Sequence, residues 1–157
     1  MIRILLFSLG LLLSSVWTQA EALYSQEGPS WVFSTDSDFN STRDNLVFAI
    51  ESRGLVISYI SHAGAMLART AQAVGVTTPV YQDAEILLFC KADLSHALAA
   101  ANPHNITLCP YAIAVYSLTE QADQTFIAIQ QPFTEEPATA PITELLMGII
   151  DEALDGF

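Results

Sequence analysis

Two β-prone segments, Ala112 to Leu118 and Thr125 to Gln130, are separated only by the polar stretch Thr119 to Gln124. That is the pattern of an antiparallel hairpin with a loop longer than the minimum. The remaining elements must be arranged around that ribbon. Trp31 to Ser34 is apolar and β-prone; then Asp38, Asn40, Ser41 and Thr42 offer N-caps for a helix with Leu46, Val47 and Ile50 on one face, which Gly54 ends. Leu55 to Ile60 reads as a buried strand. Ser61 can cap a second helix from His62 to about Ala73, closed by Gly75. Ala84 to Cys90 is a further strand, and a short helix from Asp93 to about Ala101 stops at Asn102 and Pro103. Ile142 to Leu154 forms a last apolar-faced helix between Pro141 and Gly156. The predicted order is β-α-β, a small helix, β, a small helix, β-β-α.

The N-terminus sets the address. Met1, Ile2 and Arg3 precede an apolar run, Ile4 to Leu13, broken only by Ser8 and Gly10. A bilayer span needs about 20 apolar residues, and here Ser14, Ser15, Thr18 and Gln19 interrupt the run before Ala20 and Ala22 offer an A-x-A site. Residues 1–22 are therefore read as a cleavable secretory signal, 23–30 as a flexible tail and 31–157 as one domain, with a second Pro-rich link from Pro132 to Pro141. The expected location is periplasmic or secreted, with no membrane span once the signal is gone. Of the 17 acidic and five basic side chains, Glu21 and Arg3 leave with the signal, so the net charge stays at −12. Such a surface repels nucleic acid and favours cations or a basic partner protein, although high charge also serves solubility alone.

The segments "NLVFAIESRGLVISYISHAGAMLART", "AEILLFCKADLSHAL" and "NPHNITLCPYAIAVY" together resemble the domain of unknown function family 302 over roughly Trp31 to Gln131. Where many relatives show Pro-Cys at the last strand entry, this chain has Cys109 followed by Pro110. The resemblance implies an α+β fold: a curved, mainly antiparallel sheet in β-α-β4-α-like order with helices packed on one face. It also implies a frequent homodimer and no assigned enzymatic activity.

Two cysteines are the first chemical candidates. A parallel crossover would hold Cys90 and Cys109 at opposite sheet ends, whereas the antiparallel arrangement implied by the resemblance brings them together. In an oxidising compartment a disulfide over that loop adds about 3 kcal/mol in the loop-entropy description. The spacing excludes C-x-x-C thioredoxin chemistry and C-x-x-C-H haem attachment. A soft metal site, or a thiol-redox or sulfur-carrier role, stays open.

His62 is the second candidate, with Met66, Arg69 and Ala73 following on the same expected helix face and Ala63, Gly64 and Ala65 leaving room for a large group. An imidazole and a thioether one turn apart are ligands for haem iron or copper, and Arg69 can pair with a propionate. If the domain dimerises through this helix, two His62 side chains meet across the axis and clamp one haem. A His at a helix start also serves as a packing or water-facing residue, and Met66 as core. Cys109-Pro110 adds a thiolate option for haem; His96 and His104 are expected to be exposed. The nucleophile elbow, P-loop, dinucleotide fingerprint and H-E-x-x-H are all missing from the sequence. The expected function is thus an exported, non-enzymatic cofactor-binding protein in redox or sulfur metabolism. The alternatives are a disulfide-stabilised interaction domain and a thiol-redox or sulfur-carrier protein using Cys90 and Cys109.

Overall fold

The computed structural model describes residues 24–133 and 135–156; the expected signal peptide lies outside the described residues. Six antiparallel strands form one sheet in the order β1-β2-β6-β5-β4-β3. They are β1 (Ser25–Glu27), β2 (Ser30–Thr35), β3 (Ile57–Ser61), β4 (Tyr81–Phe89), β5 (Tyr111–Leu118) and β6 (Gln121–Gln130). The helices are α1 (Phe39–Glu51), α2 (Ala63–Thr70), α3 (Ala92–Ala101) and α4 (Ala140–Asp155).

Strict alternation of buried and partly exposed residues along β5 divides the sheet into two faces. One face carries Phe33, Leu87, Phe89, Ile113, Val115, Ile127 and Ile129, all essentially inaccessible. Leu46, Ala49 and Ile50 of α1, Leu98 of α3, and Ile142, Ile149, Ile150 and Ala153 of α4 close over them. Asp38 caps α1, its Oδ1 accepting from the Ser41 amide at 3.1 Å. Arg53 then ties α1 to α4, donating to Ala49 O at 2.7 Å and Gly148 O at 2.8 Å while pairing with Glu152.

Five expectations change in detail. The strand expected to be buried over Leu55 to Ile60 is β3, which lies at the sheet edge with its residues exposed or half-buried. The segment 23–30, expected as a tail, contains β1, because Tyr24 stacks on Trp31 with ring centroids 4.3 Å apart and so holds the chain on the sheet edge. Gly28, at φ +59°, supplies the left-handed residue of its two-residue turn. The β5–β6 hairpin is tighter than expected: only Thr119 and Glu120 separate the strands, and Gln121 to Gln124 extend β6 as solvated residues. The second helix is shorter, ending at Thr70 and tightening into a 3₁₀ turn over Ala71–Val74. Finally, α2 departs from the one-sided packing expected of the helices. Gly64 approaches Ala84, whose neighbours in register are on the face away from α1 and α4, and Ala63 and Leu67 of α2 border a groove on that second face.

Candidate functional site

The end of β3 pairs Ser61 with Ile86, so the next residue, His62, arrives beside Glu85 of β4. Its Nδ1 lies 2.9 Å from Glu85 Oε1. The imidazole side chain is 66% exposed and the carboxylate 15%, so a nearly buried acid grips an outward ring. A carboxylate accepts and does not donate, so Nδ1 carries the hydrogen, and in the neutral ring Nε2 is the nitrogen left for a ligand. Arg43 of α1 backs this pair, with Nη1 3.8 Å from Glu85 Oε2. Its Nε sits 2.8 Å from Asp44 Oδ1 without hydrogen-bond geometry. Glu85 Oε2, Arg43 Nε and Ser117 Oγ are buried polar atoms without a direct hydrogen-bond partner.

The expected row of His62, Met66, Arg69 and Ala73 is not assembled as a single face. His62 is the cap residue of α2, with non-helical φ −81° and ψ 66°, and its ring is turned to Glu85. Met66 is exposed, with Sδ 3.9 Å from Thr70 Oγ1. Arg69 is exposed in the last turn, and Ala73 belongs to the 3₁₀ turn. The room expected from the small residues at Gly64 is taken by the chain itself: a Cβ there would stand 2.8 Å from the Ala84 backbone nitrogen. Among the described residues no three His, Cys, Asp or Glu side chains converge to hold a metal ion. His96 and His104 are exposed, as expected.

Antiparallel β4 and β5 do bring Cys90 and Cys109 together, flanking α3 and the 3₁₀ turn Pro103–Leu108. The Sγ atoms are 2.7 Å apart and both thiols are free. The expected disulfide is therefore not formed here; the separation exceeds the about 2.05 Å of an S–S bond. Burial raises the Cys90 thiol above its ordinary value, and hydrogen bonding to Cys109 and its charge add to the shift. Ser95 Oγ lies 3.6 Å from Cys109 Sγ and 3.1 Å from Tyr111 Oη, whose own pKa burial pushes up. Cys90 is an exposed residue and Cys109 a half-buried one.

Sequence reading missed Glu85 and Tyr111. Glu85 was visible as the one acid inside the apolar run "AEILLF"; Tyr111 carried no signal beyond a strand-start aromatic.

A small antiparallel α+β domain with an outward, carboxylate-held histidine and a thiol pair at one sheet end is thus the class defined by the fold and site. The chain belongs to the family described as domain of unknown function DUF302, whose model matches residues 31–154. A similar solved structure is an uncharacterized conserved DUF302 protein from Bacillus stearothermophilus, 15% identical, with a TM-score of 0.66, covering 81% of this chain and 99% of that one. At that identity the likeness speaks for the fold. No curated protein matches the chain.

Proposed function

We propose that the protein is an exported, non-enzymatic haem-binding protein, acting in the periplasm or outside the cell, in which His62 Nε2 would hold the haem iron. The observation that carries this reading is the 2.9 Å contact of His62 Nδ1 with the nearly buried Glu85 carboxylate. Such a contact fixes the tautomer and orientation of a metal-ligating histidine and raises its basicity. Haem suits a lone outward imidazole better than copper does, because the porphyrin supplies four ligands and the protein need supply only one or two. Copper would need further donors, and Met66 Sδ is turned to Thr70. In a homodimer formed beside α2, His62 of a second copy would be the second protein ligand, giving one haem per two chains. Arg69, exposed and without an ion pair among the described residues, is the cation for a propionate.

Titration with hemin, read by the Soret band and by sedimentation, tests this. The expected result is a saturable band at one haem per two chains that His62→Ala abolishes and Glu85→Gln weakens by about 10–100-fold. A band that His62→Ala leaves unchanged refutes it.

A second reading is favoured by the sulfurs of Cys90 and Cys109, 2.7 Å apart. In an oxidising compartment the two thiols lose two protons and two electrons to an acceptor disulfide and form one bond, either as a structural staple of an interaction domain or as a redox couple. The raised Cys90 pKa favours the staple, since the attacking species is the thiolate.

A further inference from the structure

The face of the sheet away from α1 and α4 is a shaped surface. In register across the strands, Val32 faces Ala128, Ala128 faces Ala114 and Ala114 faces Ile86. Two alanines between two larger side chains make a trough that runs across four strands, about 14 Å long at 4.8 Å per strand. The next row rises above it: Phe126 stacks on Tyr116 at 5.4 Å, and Tyr81 meets the Tyr116 ring edge-on at 5.5 Å. Leu67 of α2 borders the β4 end, and the open groove measures about 340 Å³.

The charge in this groove has one sign. Glu27 and Glu85 are the charged residues along it and neither Lys nor Arg borders it. The Glu85 carboxylate lies on the opposite, core side of β4, where His62 and Arg43 hold it, which leaves Glu27 as the anion of the groove, at the β1 end. Glu27 pairs in register with Ser30, on the same face as Val32, and its charge is felt at the Tyr116 hydroxyl, whose ionisation burial first and then Tyr81 and Glu27 oppose. An apolar floor, the faces and edges of two tyrosines and one carboxylate are the elements that hold an alkylammonium group.

We infer that this groove binds a small amphiphilic cation, an alkylammonium or an amine with an apolar body, with its tail on Ala114 and Ala128 and its head between Glu27 and Tyr116. A second copy seated face to face would bring acidic grooves together with no basic residue to answer them, so the cation is the complementary occupant. The site is separate from His62 and does not depend on the haem reading.

The test uses decyltrimethylammonium below its micellar range, with the full chain and calorimetry, against decanol and decanoate. The expected result is saturation at one per chain with at least about tenfold preference over decanol, and no binding of decanoate. Ala128→Leu, which fills the floor, is expected to lower affinity at least about tenfold. Glu27→Gln, on the exposed edge strand, is expected to bring the cation down to the affinity of decanol whether or not the floor variant folds. Equal binding of decanol and the cation, or full affinity in Glu27→Gln, overturns the proposal. So does a wild-type dimer that Ala128→Leu converts to monomer, since a second copy would then occupy the groove.

Discussion

Oxidation of Cys90 and Cys109 is expected to raise the unfolding temperature by roughly 10 °C. The two residues are 19 positions apart, with α3 and one 3₁₀ turn between them. Closing a loop of that length removes chain entropy from the unfolded state worth about 3 kcal/mol at 25 °C. For a domain of this size each kcal/mol moves the midpoint by about 3–5 °C, which gives the expected shift. The folded state resists little, because β4 and β5 already hold the two sulfurs face to face. The assay is a far-ultraviolet thermal melt of protein equilibrated with oxidised glutathione and of protein kept in reductant, with free thiols counted by mass spectrometry after alkylation. Cys109→Ser is expected to melt with the reduced form under both conditions. Two free thiols per chain after oxidation would refute the reasoning at its geometric step. A bond that forms without moving the midpoint would refute it at its energetic step.

In the reduced protein, alkylation of Cys90 by iodoacetamide is expected to rise with pH with a midpoint above the ordinary 9.0, because burial and Cys109 both oppose the thiolate; a midpoint at or below that value contradicts the assignment. Gly64→Ala is expected to destabilise by about 1–3 kcal/mol in urea melts, since the Cβ would meet the Ala84 backbone at 2.8 Å and the strand must move. Asp38 has a carboxyl lowered below 3.8 by the Ser41 side chain and then the Ser41 amide. Its folded-state pKa lies below the unfolded value, so its contribution is present above that range and lost as pH falls through the folded pKa. Acid melts of Asp38→Asn, which keeps a cap oxygen, are expected to lose that part of the pH dependence; an unchanged acid profile would contradict it.

Most of the architecture was legible because the signals were local and repeated. Alternation in "YAIAVYSL", the Gly54 and Gly75 stops and the Pro103 and Pro141 boundaries each act within a few residues, and the structure places strands and helices where they point. What sequence could not supply was pairing that no periodic pattern marks. β1 exists because Tyr24 finds Trp31, and a three-residue edge strand has no period of its own to announce it. The side on which α2 lies was likewise hidden: Gly64 reads equally as room for a ligand or as room for a neighbouring backbone, and only the sheet register shows that β4 fills it.

The same limit governs the candidate site. His62 was visible as a residue type, but its chemistry depends on Glu85, which stands 23 positions away and reaches it only through the β3–β4 register. A helical-face argument tied His62 to Met66, yet a cap residue lies outside the helical repeat and obeys the strand that precedes it. Strand parity then separates the molecule's chemistry by face. Glu85 shares its side of β4 with Leu87 and Phe89, so burying the core also buries the carboxylate that holds the imidazole. Ala84 and Ile86 take the other side and floor the groove. A one-residue slip of β4 against β3 would lose both arrangements at once, because every side chain would change faces.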